Sequence, residues 1–110
     1  MSEAEPVPYV VEERTIVAET GQLSVKTFTL AEGQEIPWHF HSEIIDTFFC
    51  LEGRLQVETR APAARHRLAS GESCAVAAKT AHRVSGVDGG RCRFLIVQGV
   101  SVYDYRPVGG

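Results

Sequence analysis

Two of the chain's four histidines stand one residue apart, in the stretch PWHFHSEIIDTFFCLEG at residues 37–53. Side chains at positions i and i+2 of a β-strand point to the same face, so His39 and His41 would project side by side. A neutral imidazole offers one nitrogen lone pair to a metal ion, and two imidazoles from one strand plus a third from a neighbouring strand suit a divalent ion. The spacing therefore predicts a metal site, with His82 as the third nitrogen ligand.

An acidic side chain can complete this site with an oxygen ligand. Asp46 follows His41 by five residues, which is the wrong parity for one regular strand and requires a bulge or a short loop across residues 42–45. Glu43, two residues after His41, is the rival acid if the strand runs straight. The sequence leaves open whether Asp46, Glu43 or neither is the ligand. It identifies no separate catalytic base, although Glu43 and Glu35 are candidates.

Most of the chain alternates polar and apolar residues with period two, which is typical of strands with one wet face. The clearest example runs over residues 54–60, in a hairpin that continues through residue 67. Further predicted strands cover residues 14–18, 23–30, 46–51, 73–77, 82–85 and 92–103. The alanine-rich stretch 75–81 is short and uncapped, so we interpret it as strand, turn and strand rather than helix. Seven or more short strands predict an all-β sandwich or barrel.

Length and charge limit the class of protein. A chain of 110 residues with 44% hydrophobic and 23% charged residues is typical of one soluble domain. We expect a flexible segment at residues 1–8, a barrel domain at 9–105 and a flexible tail at 106–110. The formal net charge of -3 argues against nucleic acid as a partner, and no apolar run approaches the roughly 20 residues of a membrane span.

Cys50, Cys74 and Cys92 are odd in number, widely spaced and set in apolar stretches. This pattern favours free thiols that pack as small hydrophobic side chains over a disulfide framework. Free thiols indicate a reducing compartment, and the acidic stretch MSEAEPVPYV is unlike a basic signal-peptide start. We therefore expect the protein in the cytoplasm.

The spacing around the histidines continues in two longer patterns. The first is Gly33, QEIPW, His39-Phe40-His41, SEII, Asp46, TFFCLE and Gly53. The second is Gly71, ESCAV, Ala77-Ala78-Lys79, TA, His82, RVS and Gly86. These patterns resemble the two motifs of the cupin family, in which the acid is usually glutamate and the second motif carries P-x-G and a final asparagine. Asp46 is one methylene shorter than the usual glutamate. In the second pattern, Ala77, Lys79 and Gly86 stand where the family motif has the proline, the glycine of P-x-G and the asparagine.

The resemblance implies a small jelly-roll barrel, the double-stranded β-helix, with the ion inside near one mouth, and often a homodimer. Tyr103 and Tyr105 could cap a barrel end. Phe48 is expected to pack in the barrel or at an interface, and because it shares strand parity with Asp46 it could also wall the pocket. His66, in the hairpin between the motifs, is expected to face solvent.

Three imidazoles and one carboxylate leave one or two coordination positions open, as catalytic ions require. We expect one divalent transition metal, without distinguishing iron, manganese, nickel and zinc. We further expect a metalloenzyme that acts on a small oxygen-rich compound, such as a keto acid, sugar acid or polyphenol, by dioxygenation or enolate-type isomerisation. The alternatives are a non-catalytic module that binds metal or metabolite, and a metal-free barrel.

Overall fold

The computed structural model describes residues 9–109, which form ten β-strands and a single 3₁₀ turn at Val87–Gly89. In chain order the strands are β1 (Glu13–Glu19), β2 (Leu23–Leu30), β3 (Glu35–Phe40), β4 (Ile45–Glu52), β5 (Leu55–Thr59), β6 (Ala64–Leu68), β7 (Ser73–Val76), β8 (His82–Gly86), β9 (Cys92–Gly99) and β10 (Arg106–Pro107). They build two five-stranded sheets, in the orders β1-β2-β9-β4-β7 and β10-β3-β8-β5-β6. Every pairing is antiparallel. The fold is all-β, as the alternation predicts, and it is the double-stranded β-helix that the family resemblance implies.

The core lies between the inner faces of the two sheets. Along β9 the buried and half-buried positions alternate strictly, and β4 alternates in the same way over most of its length. Leu30, Phe48, Leu55 and Phe94 are among the core side chains with at most 1% exposure. Removing one such side chain from water contributes about 1.5–3 kcal/mol to folding.

The predicted strands agree closely with the observed ones, with one large exception. β2 has the predicted bounds, and the alanine-rich stretch is a strand, a turn and a strand as expected. The strand predicted over residues 92–103 ends at Gly99 instead. Both neighbours of β9 begin at this level, because Gly99 pairs with Leu23 of β2 and with Ile45 of β4. Beyond Gly99 the chain has no partner in this sheet and leaves it.

The C-terminal tail differs from the expectation at two residues. Arg106 and Pro107 pair with Phe40 and His39 to form β10 at the edge of the second sheet, where a loose end was expected. The flexible segment expected at residues 1–8 lies outside the described residues. Within the described part of the chain, no helix is long and apolar enough to cross a membrane.

Candidate metal centre

The second sheet positions two histidines as direct neighbours. His39 on β3 pairs with His82 on β8, so their rings share one level of the sheet. β3 has an irregular register between Ile36 and His39, and such an extra residue re-aims the side chains that follow it. As a result Ile36 and His39, three residues apart, are both buried.

His41 and Asp46 reach the same place from the connection between the sheets. His41 follows the last residue of β3, and Asp46 is the second residue of β4 in the other sheet. A short loop was predicted across residues 42–45, and the structure has one at residues 41–44, which corrects the parity between the two side chains. Asp46 pairs across the sheet with Gln98 of β9 and Val76 of β7.

These four side chains converge on one buried point. One possible ligand atom from each of His39, His41, Asp46 and His82 lies within 4.8 Å of all the others. Exposure is 3% for His39 and His41 and 1% for Asp46 and His82. The Nε2 atoms of His41 and His82 each lie 3.0 Å from Oδ2 of Asp46. The shorter acid therefore reaches the cluster.

Backbone carbonyls fix the orientation of all three rings. Nδ1 of His39 lies 2.7 Å from the Pro37 carbonyl, that of His82 lies 2.8 Å from the Thr80 carbonyl, and that of His41 lies 2.5 Å from the carbonyl of Asp104. A carbonyl oxygen only accepts, so each Nδ1 carries the proton and donates it. In the neutral ring Nε2 then keeps the lone pair.

Charges inside the cluster are strongly coupled. Burial raises the pKa of Asp46, but hydrogen bonds from the protonated forms of His41 and His82, together with their positive charge, outweigh burial and hold the pKa well below its usual range. Burial, together with the neighbouring His82, lowers the pKa of His39 to about 3. Burial also lowers the pKa of His41, but the hydrogen bond and charge of Asp46 overcome it and leave the pKa raised.

The donor set fits a divalent transition metal. With Nδ1 committed to carbonyls, two neutral rings would present lone pairs to the same ionised oxygen of Asp46, which is repulsive. Protonating both rings instead would bury two adjacent cations whose centroids are 5.4 Å apart, an expensive arrangement. A bound cation relieves both problems, and nitrogen-rich sets with one carboxylate suit iron, manganese, nickel and zinc.

A small cavity adjoins the cluster. Its volume is about 20 Å³, counted as the space that the centre of a water molecule can occupy. This is roughly enough for one water. Its apolar walls are Phe28, Ile36, Phe48, Val84 and Ile96. Phe48 therefore walls the pocket, as the strand parity suggested.

Residues 100–105, which follow β9, lie across this end of the barrel. Tyr105 stacks on His39 with centroids 4.4 Å apart, and the Tyr103 centroid lies 5.2 Å from that of His41. The side chain of Asp104 accepts hydrogen bonds from the backbone and hydroxyl of Ser42. The two tyrosines thus cap the barrel end above the histidines.

Two polar residues of the cavity were not predicted from the sequence. Lys26 on β2 has 5% exposure and Gln98 on β9 has 6%, and both line the cavity. Lys26 Nζ donates to Gln98 Oε1 at 2.8 Å, and Gln98 Nε2 donates to Asp46 Oδ1 at 3.0 Å. Lys26 lies on the same face of β2 as the buried Phe28 and Leu30. A lysine at a core-facing position of a predicted strand is the sequence signal that could have identified it.

The other candidate residues lie outside the cluster. Glu43 is exposed and accepts a hydrogen bond from Ser101, and Glu35 is exposed with its carboxylate 3.9 Å from Arg83. His66 is half-buried on β6. Cys50 is buried in the core, and burial raises the pKa of its thiol, so its predicted packing role fits.

Comparison with known proteins shows the same fold. A conserved protein with a double-stranded β-helix domain from Klebsiella pneumoniae is 20% identical, with a TM-score of 0.74 and all of both chains covered. KdgF from Halomonas sp. is 19% identical, with a TM-score of 0.69 over 80% of this chain and 79% of that one. A cupin-2 domain containing protein from Shewanella frigidimarina is 21% identical, with a TM-score of 0.67 over 82% of each chain.

A search of curated proteins gives no match. The model of the Cupin domain family matches residues 26–98, which include both histidine patterns and the four clustered side chains. The chain therefore belongs to the cupin family.

Proposed function

We propose that this protein is a metalloenzyme in which His39, His41, His82 and Asp46 hold one divalent transition metal ion. The observation that carries the proposal is the shared contact of two Nε2 atoms with one carboxylate oxygen, each at 3.0 Å, while the Nδ1 atoms are held by carbonyls. A cation at this point accepts the Nε2 lone pairs that would otherwise face the carboxylate oxygen.

An ion with one or two open positions supplies Lewis-acid chemistry to a substrate oxygen, and with iron it can also use dioxygen. The chain's own residues prepare the site. The Asp104 carbonyl holds the ring of His41, and Tyr103 and Tyr105 limit the access of water. Apolar walls such as Phe48 lower the local dielectric, which strengthens polar interactions with a bound substrate. Such a site suits small oxygen-rich compounds, by dioxygenation or by isomerisation through an enolate.

A second candidate function is a non-catalytic module that binds metal or a metabolite. The observation that favours it is the size of the cavity, about 20 Å³, which is far below the roughly 300–1,000 Å³ typical of small-molecule pockets. If the protein is such a binding module, Tyr103 and Tyr105 keep the site closed. On the enzyme proposal residues 100–105 must move to admit a substrate.

The test is turnover by metal-loaded protein. Protein purified without a histidine tag is loaded with iron, manganese, nickel or zinc and incubated with keto acids, uronates and catechols, with and without oxygen. Proton NMR and an oxygen electrode follow the compounds, and mass spectrometry measures the metal. We expect stoichiometric metal and turnover of at least one compound class by at least one loaded form.

Two histidine variants control this experiment. His82→Ala removes one nitrogen ligand and should weaken metal binding by more than about 100-fold, since losing even an outer partner of a ligand costs about 10- to 100-fold. His66→Ala removes the histidine outside the cluster and should leave metal content and turnover unchanged. Full metal content without turnover across the panel would favour the binding module. Absence of metal, with no loss of stability on adding a chelator, would leave the metal-free barrel.

We also propose that the protein is a cytoplasmic homodimer. The free thiols suit a reducing compartment, and they are free among the described residues. The outer face of the β1-β2-β9-β4-β7 sheet carries an apolar patch, with Ile45 at 47% and Phe49 at 38% exposure. Leu95 lies beside Phe49 on the adjoining strand. A second copy of the chain would cover this face. Neither nucleic acid nor membrane is a proposed partner.

A further inference from the structure

Lys26 is a buried cation without an anionic partner of its own. Its side chain points to the interior between the sheets, in the same cross-strand row as Ile96 and Phe48. Its one hydrogen bond among the described residues goes to the neutral amide of Gln98, and no described carboxylate lies within 4.0 Å of Nζ. The Tyr103 ring lies on another side, with its centroid 4.7 Å from Nζ. An ammonium group has three donors, so Lys26 retains unused hydrogen-bonding capacity next to the cavity.

Asp46 makes no hydrogen bond or ion pair with Lys26. Its Oδ2 faces His41 and His82, and its Oδ1 accepts from Gln98. A single side-chain amide therefore separates Lys26 from the metal centre. With a divalent ion in place, the positive charges of the ion and Lys26 exceed the single negative charge of Asp46. The cavity is then electropositive, and a buried uncompensated charge is unfavourable.

A second polar group of the cavity also lacks a partner. The hydroxyl of Tyr105 is buried and makes no hydrogen bond within the described residues, although Tyr105 lines the cavity. Buried hydroxyl groups are normally hydrogen-bonded. Tyr105 and the Lys26 ammonium with its free donors both line this cavity, and they fit a ligand that brings acceptor oxygens and negative charge once residues 100–105 move to give it room.

We propose that Lys26 recognises the carboxylate of a small α-hydroxy or α-keto acid bound at the open side of the metal centre. This inference rests on the proposed metal site and narrows its substrate class to carboxylic acids, away from neutral polyphenols. The ligand's hydroxyl or keto oxygen faces the ion, and its carboxylate accepts from the Lys26 ammonium. Lys26 is then a specificity-determining residue rather than a general base.

The test uses glycolate, the smallest α-hydroxy acid, and glycolamide, its neutral counterpart of nearly the same shape. Calorimetric titration of the zinc- or manganese-loaded wild type should show glycolate binding more tightly than glycolamide. Lys26→Met keeps the length and removes the charge, so it should weaken glycolate about 10- to 100-fold, the range of a charge-assisted hydrogen bond. Glycolamide binding should change by less than about 3-fold, because the amide does not use the charge.

The chain offers a matched control in its other lysine. Lys79 is exposed, so Lys79→Met makes the same chemical change outside the cavity and should bind glycolate as the wild type does. Circular dichroism and metal content are measured on every sample. Metal-replete Lys26→Met that binds glycolate like the wild type would overturn the role of Lys26. So would a metal-replete wild type that does not prefer glycolate over glycolamide, a comparison that needs no variant. A wild type without stoichiometric metal would instead overturn the metal site, and this inference with it.

Discussion

At the scale of single residues, the protonation of the site is decided by backbone carbonyls. Each histidine of the cluster donates from Nδ1 to a main-chain oxygen, which leaves Nε2 as the atom directed to the common point. Outer partners of this kind fix the tautomer of a ligating histidine. The carboxylate of Asp46 then raises the pKa of His41 against the effect of burial, so protons and metal compete most directly at that ring.

Metal affinity should fall as the pH falls. The ion needs neutral imidazoles, and a raised pKa means that His41 binds a proton more readily in the metal-free protein than an ordinary histidine, whose pKa is about 6.5. We expect affinity to decline from about neutral pH downward, by roughly tenfold per pH unit for each proton displaced. Competition with a chelator of known affinity between pH 5 and pH 8 measures the decline. A constant affinity across that range would contradict histidine ligation.

At the scale of elements, irregularities in the strands matter as much as the strands themselves. The bulge in β3 turns the side chain of His39 inward. The loop after His41 lets the side chain of Asp46 also point to the interior. At the end of β8, Gly86 replaces the asparagine of the family pattern. A Cβ atom added there would lie 1.7 Å from the carbonyl oxygen of Gly90. This departure from the pattern therefore has a steric reason, because the turn at Val87–Gly89 folds back onto β8.

Gly86→Ala should destabilise the fold by about 2–3 kcal/mol or prevent folding, because the Gly90 backbone must move to admit the methyl group. Urea unfolding of the metal-free protein measures the loss. Gly21→Ala is the matched control, since a Cβ at Gly21 has nothing within 4 Å and should change stability by less than about 1 kcal/mol. Equal stability of the two variants would contradict the close approach seen at Gly86.

At the scale of the whole molecule, the two sheets present different outer faces. The β1-β2-β9-β4-β7 sheet exposes Phe49 and Ile45 on its outside. On the other sheet Trp38 is half-buried, with the guanidinium of Arg60 4.0 Å and that of Arg83 5.3 Å from its ring centroid. Exposed apolar faces of this kind mark interaction sites, whereas the charged cover over Trp38 keeps the other sheet in contact with solvent.

Phe49→Arg should convert the proposed homodimer to a monomer, because it places a charge within the apolar face. Sedimentation velocity at micromolar concentration measures the mass. Ala63→Arg adds the same charge in the exposed turn between β5 and β6 of the other sheet and should leave the dimer intact. A monomeric wild type, or a dimer that persists in Phe49→Arg, would show that this face is not the interface.

The sequence by itself determined that the chain is all-β and that His39, His41 and His82 belong together, and it offered Asp46 and Glu43 as the candidate acids. Period-two alternation gives the strands, and the spacing of His39, His41, Asp46 and His82 gives the group whose donor atoms the structure brings together. Both can be read from the order of residues without knowing which strands pair.

Only the tertiary structure decided what surrounds this group. Lys26 approaches Asp46 through Gln98, and Tyr105 covers His39, although 72 residues separate Lys26 from Gln98. Alternation tells which residues face inward, but pairing register decides which inward residues meet. The same limit explains the end of β9, because a strand ends where its neighbours end, and no local pattern in residues 92–103 records where β2 and β4 begin.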